Sequence, residues 1–167
     1  MHDDVDELVP GWVAGGMSDS LIATLELSKR IARLNGRIEQ ALRSEMAEFG
    51  LTYAEFDVLA ALFRAGPPHR LKPSELSRAL FLTTGGISNV LQRLSAAGHI
   101  ERVENPGDGR SRWVQLTPDG RQLAETTVHA AGRVHARVMT GVPENAIRQA
   151  ADALREINAL VGRAPLP

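Results

Sequence analysis

Hydrophobic residues recur every three or four positions along most of this chain, a spacing that is typical of amphipathic helices. The first long stripe spans about residues 20 to 49, which is longer than one small domain needs for its core. It consists of Leu21, Leu25, Ile31, Leu34, Ile38, Leu42 and Met46. Three shorter helices are predicted between residues 53 and 97, and two longer ones after Thr117-Pro118 and at Pro143.

The starts of the shorter helices are marked by residues that cap helix N-termini. Thr52-Tyr53-Ala54-Glu55 has the sequence of a capping box, and Pro73 suits the first turn of a helix over residues 74 to 80. Thr83 is the expected N-cap of a helix over residues 84 to 97, which ends at Gly98. The local sequence therefore predicts three separate helices in this region.

The pattern changes to a strand-like alternation after residue 99. Residues 100 to 103 alternate apolar and polar positions, and residues 110 to 116 follow as a partner strand. The intervening Asn105-Pro106-Gly107-Asp108-Gly109 is typical of a turn. We expect a β-hairpin that carries Arg110 and Arg112 near its tip.

This order of elements predicts a mostly α fold with a small β-hairpin wing. We expect an N-terminal extension (1–19), a dimerisation helix (20–50), a winged helix-turn-helix DNA-binding domain (51–116) and C-terminal dimerisation helices (117–167). The outer helices have apolar stripes but no sheet or neighbouring core to cover them, so a twofold homodimer is expected. The alternative is a monomer in which these helices pack on one another.

Composition and charge narrow the classes of function. The 167 residues contain no cysteine, which excludes disulfides and thiolate metal sites, and the net charge is −1. Residues 70 to 112 nevertheless contain seven Lys/Arg against four Asp/Glu, as a DNA-binding segment requires. The chain has no apolar run of membrane-spanning length and an acidic N-terminus unlike a signal peptide, so we expect a cytoplasmic protein without membrane contact.

The helix over residues 84 to 97 is the expected base-reading element in the DNA major groove. Gly85, beside Gly86, lets its N-terminus approach the DNA backbone, where free amides favour a phosphate. Arg93 is expected either to contact phosphate or to form a local salt bridge. The residues expected at the DNA, including the cap, are Thr83, Thr84, Gly85, Ser88, Asn89, Gln92 and Arg93.

The hairpin and the preceding helix supply further expected contacts. Arg110, oriented by Asp108, is expected in the minor groove, and Arg112 on the backbone. Lys72 and Ser74 are expected on phosphates.

A protein–protein adaptor or anti-regulator that does not bind DNA is the alternative, although it would need apolar anchors on this face. No nucleotide-binding or catalytic motif is present, and the five histidines form no metal motif, so we expect no enzyme, metal or cofactor.

The chain resembles the MarR family of bacterial transcriptional regulators over nearly its whole length. The motifs that carry the resemblance are Leu51-Thr52 with Phe56, Pro73-Ser74-Glu75-Leu76-Ser77, residues 84 to 89, Gly98-His99-Ile100-Glu101-Arg102, and residues 105 to 117 with Gly120. It implies a dimer whose terminal helices interlock over a palindromic operator, with repression as the usual mode. It also implies DNA release by a small aromatic or anionic effector.

The N-terminal extension and second helix are similar to the urate-responsive branch of that family. The resemblance implies that Trp12, Asp57 and Arg102 take part in the ligand response. An arginine can pair with an anion, a tryptophan can stack on an aromatic ring, and an aspartate can be repelled by the ligand. The alternative is that Trp12 is a packing anchor and that Asp57 and Arg102 form an ordinary salt bridge.

Overall fold

A computed structural model describes residues 2–80, 83–104 and 112–162. It confirms a mostly helical fold with a small antiparallel sheet. In chain order the elements are α1 (Val9–Ala14), α2 (Asp19–Ala47), α3 (Tyr53–Arg64), β1 (Arg70–Leu71), α4 (Pro73–Ala79), α5 (Thr84–Ala96), β2 (Ile100–Glu104), β3 (Arg112–Leu116), α6 (Pro118–Val138) and α7 (Glu144–Val161).

The helices begin where capping side chains stand in the sequence. The Thr52 and Glu55 side chains form the predicted capping box of α3, and the Thr83 hydroxyl accepts from the Gly86 N–H at the start of α5. Thr117 does the same for α6, where its Oγ1 accepts from the Gly120 N–H at 3.0 Å. The predicted boundaries of the helices lie within about two residues of the observed ones.

The sheet has the strand order β1-β3-β2, with both pairs antiparallel. In β2 and β3, Ile100 lies opposite Leu116 and Glu104 lies opposite Arg112. The hairpin is therefore as predicted, although residues 105 to 111, including Asp108 and Arg110, lie outside the described residues. Strand β1 was not predicted, because two residues are too short to show an alternating pattern.

The core forms around α3, whose Val58, Leu59 and Leu62 are fully buried. The second half of α2, the apolar face of α5, the inner face of β3 and one face of α6 pack against it. This corrects the expectation that the outer helices have no core to cover them: the core covers α6 and the end of α2. The contributing side chains include Leu42, Met46, Ile87, Leu91, Leu94, Val114, Ala130 and Val134.

Two apolar surfaces remain uncovered among the residues that the structure describes. One is the first half of α2, where Leu21, Ile31 and Leu34 are exposed. The other is α7, which contains no buried residue and exposes Ile147, Ile157, Leu160 and Val161. None of the helices in the described ranges is long and apolar enough to cross a membrane.

The N-terminal extension is fastened to α2 by charged groups. The Arg30 guanidinium donates to Asp3 and Asp6, and the bond from Arg30 to Asp3 lowers the pKa of Asp3. Val5, between the two acids, is fully buried. The extension thus has a fixed course before the short helix α1, which was not predicted.

A tight junction joins the hairpin to α6. The Thr117 hydroxyl donates to the Gly98 carbonyl at 2.7 Å, and the Thr117 N–H donates to the His99 carbonyl at 3.1 Å. A Cβ added at Gly120 would lie 1.8 Å from the His99 carbonyl oxygen. Only glycine allows the first turn of α6 to approach the start of β2 this closely.

Candidate nucleic-acid interface

Helix α5 has one buried apolar face and one exposed polar face. Ile87, Leu91 and Leu94 point into the core, which leaves the opposite side of the helix to solvent. The exposed residues there include Gly85, Ser88, Asn89 and Gln92. The side chains of Ser88, Asn89 and Gln92 can donate to and accept from base edges. The side chain of Thr84 lies outside what the structure describes.

The N-terminus of α5 is open at Gly85. A Cβ at Gly85 would meet no atom within 4 Å, so this position borders open space. A Cβ at Gly86 would lie 3.2 Å from the Thr83 Oγ1 that caps the helix. The first turn of α5 can therefore approach a phosphate closely at Gly85, while the Gly86 N–H is bonded to the Thr83 hydroxyl.

Arg93 forms the local salt bridge that was one of its two expected roles. Its Nε lies 3.0 Å from Oε1 of Glu55, whose side chain is only 7% exposed. The other carboxylate oxygen accepts from the Thr52 backbone N–H at 2.8 Å and from the Thr52 hydroxyl at 2.7 Å. The side chain of Arg93 is still 64% exposed, so the salt bridge leaves part of the guanidinium accessible.

Lys72 and Ser74 lie at the start of α4. The Lys72 backbone N–H donates to the Glu75 carboxylate at 2.7 Å, which replaces the missing Ser/Thr cap with half of a capping box. Ser74 is exposed on the first turn. The Lys72 ammonium lies 5.4 Å from the centre of the Trp113 ring, and the Arg70 guanidinium lies 5.1 Å from the same ring.

Three residues at this surface were not predicted as site residues: Glu55, Arg70 and Trp113. Glu55 was identified only as a helix cap, because its contact with Arg93 is tertiary. Arg70 and Trp113 meet only through the pairing of β1 with β3. The sequence contains the basic residues Arg70 and Lys72 and the aromatic residue Trp113. Their proximity could not be predicted without the register of β1 on β3.

The described part of the hairpin ends at the pair Glu104 and Arg112. Arg112 is exposed there, as expected for a backbone contact. Asp108 and Arg110 lie outside the described residues, so their expected pairing and groove contact stay predictions.

The three residues implied in an effector response lie on different elements. Asp57 on α3 lines a cavity of about 330 Å³ between α2, α3 and the end of α4. Arg102 on β2 lines a separate hollow beside α5, and Trp12 lies half-buried on α1. No ion pair joins Asp57 to Arg102 in the described structure, so the alternative of an ordinary salt bridge between them was wrong. The cavity lining is Glu39, Arg43, Thr52, Tyr53, Ala54, Asp57 and Leu80.

The cavity contains a carboxylate and a phenol that are partly withdrawn from solvent. Burial raises the pKa of Asp57 above its ordinary value, against the opposing effect of Arg64. Burial also raises the pKa of Tyr53, with Asp57 and Glu39 contributing in the same direction. The Arg43 guanidinium lies 5.6 Å from the Tyr53 ring centre. Within the described ranges, no group of three or more His, Asp or Glu side chains can hold a metal ion.

Comparisons with known proteins agree with this geometry. The MarR family model matches residues 49–111, the segment from the end of α2 to the hairpin. The transcriptional regulator PecS from Dickeya dadantii is 30% identical over 125 residues, which cover 75% of this chain and 75% of PecS.

Two solved structures share the fold. A point mutant of MarR from E. coli, complexed with operator DNA, has a TM-score of 0.72 and 25% identity, and the match covers 84% of this chain and 99% of MarR. BpsR from Bordetella bronchiseptica, whose DNA binding is regulated by 6-hydroxynicotinic acid, has a TM-score of 0.69 and 25% identity, covering 80% of this chain and 98% of BpsR. The chain belongs to the MarR family of DNA-binding transcriptional regulators.

Proposed function

We propose that this protein is a homodimeric repressor that binds a palindromic operator and is released from it by a small aromatic or anionic effector. The observation that carries the proposal is the exposed polar face of α5, which lies beside a helix N-terminus that is open at Gly85. A MarR structure of the same fold is complexed with operator DNA.

The proposed DNA contacts divide into readers and positioning groups. Ser88, Asn89 and Gln92, with Thr84, read base edges in the major groove. The α5 N-terminus at Thr83 and Gly85 binds a phosphate. The remaining contacts are made to backbone and minor groove by Lys72, Ser74, Arg93, Arg110 and Arg112. Asp108 orients Arg110 by pairing with its guanidinium.

The proposed dimer covers the two apolar surfaces that the single chain leaves exposed. Leu34 on α2 is 47% exposed and Leu160 on α7 is 68% exposed, although leucine side chains are normally buried. Helix α7 buries no residue against its own chain. A twofold partner would bury both surfaces at once and place two α5 helices on one duplex.

The proposed effector site is the cavity that Asp57 lines. Tyr53 offers an aromatic face, and Arg43 offers a guanidinium to an anion. The cavity lies against both the long helix α2 and Leu80, the last residue before the connection to α5. BpsR, with the same fold, is regulated by an aromatic acid. Trp12 and Arg102 are proposed to contribute to the response from the neighbouring elements.

The proposal is tested by mobility shift on DNA from upstream of the protein's own gene, at several salt concentrations. We expect a shifted band whose affinity falls steeply with salt, because phosphate contacts release counterions. Asn89→Ala should weaken binding to this DNA by about 1–3 kcal/mol and change binding to a random-sequence duplex little. A protein that binds neither duplex at low salt would contradict the proposal and favour the adaptor.

A further inference from the structure

The Trp113 ring lies on the outer face of the sheet, where it contacts the charged groups of Arg70 and Lys72. In the β1–β3 register, Arg70 pairs with Gln115 and Leu71 with Val114. Continuing this register by one residue sets Lys72 opposite Trp113. Arg70 and Lys72, two residues apart, therefore share one face with Trp113. Their charged groups lie 5.1 Å and 5.4 Å from the ring centre, within the range of a cation–π contact.

Neither cation is neutralised by a carboxylate in the described part of the chain. The ion pairs found there involve other arginines, and none within 4 Å joins Arg70 or Lys72 to an Asp or Glu. Two like charges that both contact one ring repel each other. An anion bound between or above them would relieve that repulsion, so the cluster is suited to a phosphate.

The cluster lies between two elements that face DNA in the proposed function. Lys72 immediately precedes α4, whose first turn exposes Ser74. Trp113 is the second residue of β3, on the strand that returns from the hairpin. The Trp113 ring thus contacts the residue that precedes α4 and belongs to the strand that returns from the hairpin.

We propose that Arg70 and Lys72 form a two-cation surface that binds the phosphate backbone of double-stranded DNA, and that Trp113 is the residue that positions them. The proposal rests on the proposed DNA-binding function and deepens it in two ways. It adds Arg70 as a direct phosphate contact. It also assigns Trp113 a role in affinity without any contact to a base.

The test compares Arg70→Gln, Lys72→Gln and their double variant with the wild-type protein. Binding is measured across a salt series on upstream DNA and on a random-sequence duplex. Each single variant is expected to reduce the magnitude of the slope of log K against log salt by about 1.8, and the double variant by about 3.6. Each substitution removes one phosphate contact from each protomer of the proposed dimer, so fewer counterions are released on binding. The loss should be equal on both duplexes, since a phosphate contact does not depend on sequence.

Trp113 is tested by two substitutions, one that removes the aromatic ring and one that keeps a smaller ring. Trp113→Leu removes the π face and should weaken binding to both duplexes by on the order of fivefold. Trp113→Phe retains a ring and should restore most of the affinity. Arg133→Gln, which removes an exposed cation from α6, is the matched control and should leave the slope unchanged.

The outcomes separate this inference from the proposed function. A wild-type protein that does not bind DNA would contradict the proposed function itself. A wild-type protein that binds, with unchanged slopes for Arg70→Gln and Lys72→Gln, would overturn the two-cation surface alone. If Trp113→Leu fails to fold, as its melting curve will show, the charge variants and Trp113→Phe still decide the question.

Discussion

The buried carboxylate of Glu55 holds the guanidinium of Arg93, with Oε1 and Nε 3.0 Å apart. Its second oxygen accepts both Thr52 donors at the N-cap of α3. One side chain thus joins the start of α3 to the exposed face of α5. The orientation of Arg93 on the proposed DNA-reading helix therefore depends on a residue that does not itself face DNA.

Glu55→Gln is expected to weaken operator binding by roughly 1 kcal/mol, the scale of one contact. Glutamine can keep the capping box with Thr52, but it removes the charge that orients Arg93. The free energy of unfolding should fall by about 1–2 kcal/mol, because a hydrogen-bonded charge is lost. Mobility shift and urea denaturation measure the two effects.

The matched control for that variant is Glu45→Gln. Glu45 also pairs with an arginine on another helix, Arg137, at 3.5 Å, and both arginines are 64% exposed. The Glu45 pair joins α2 to α6, away from α5, so operator affinity should not change. Equal losses in the two variants would show that Glu55 has no special role.

Gly120→Ala is expected to destabilise the protein by about 2–3 kcal/mol, because the added Cβ would overlap the His99 carbonyl. Gly132→Ala on the same helix is the control, since its Cβ would meet nothing within 4 Å. That substitution should stabilise α6 by about 0.5–1 kcal/mol. Denaturant unfolding of both variants measures the difference, and a tolerated Gly120→Ala would refute the close approach.

Ile157→Glu is expected to shift the protein from dimer to monomer. A charge on the apolar face of α7 would have to be buried against the partner without a counter-ion. Sedimentation at matched concentrations measures the change. Gln149→Glu adds a charge to a different face of α7 and should leave the dimer intact. A wild-type monomer would contradict the proposed assembly directly.

Asp57→Asn is expected to stabilise the protein at neutral pH. The pKa of Asp57 is raised in the folded state, so the folded protein holds its proton more tightly than the unfolded chain does. The tighter proton binding stabilises the folded protein. This stabilisation is fully present below the unfolded-state pKa of about 3.8 and is lost as pH rises through the folded-state pKa of Asp57. The two proteins should therefore differ little below pH 3.8 and diverge above it.

Unfolding measured at several pH values tests the Asp57 prediction. A variant that is less stable than the wild type at pH 7 would show that attraction to Arg64 outweighs burial. The sign of the difference in unfolding free energy between the two proteins thus shows whether burial or attraction to Arg64 dominates at Asp57.

Local chemistry made most of the fold predictable from the sequence. The caps at Thr52, Thr83 and Thr117 bond to groups three residues away, so the sequence alone locates the helix starts. The polar face of α5 was predictable for the same reason, from its helical spacing. Helix α1 was missed because its six residues include Pro10 and Gly11, which weaken any helical pattern.

The tertiary contacts of the site were not predictable in this way. Glu55 and Arg93 are 38 positions apart, and only the packing of α3 on α5 brings them together. The cluster on Trp113 depends on a strand of two residues whose register the sequence does not reveal. Asp57 was named by resemblance, and its cavity requires α2 and α4 to be in place.

The junction of Thr117, Gly98, His99 and Gly120 has a mechanical consequence. Both ends of the hairpin are fastened to the first turn of α6, so rotation of that helix turns the whole hairpin with it. Strands β2 and β3 therefore move together with α6. In the proposed dimer, the separation of the two β2–β3 hairpins would therefore depend on the orientation of α6 in each protomer.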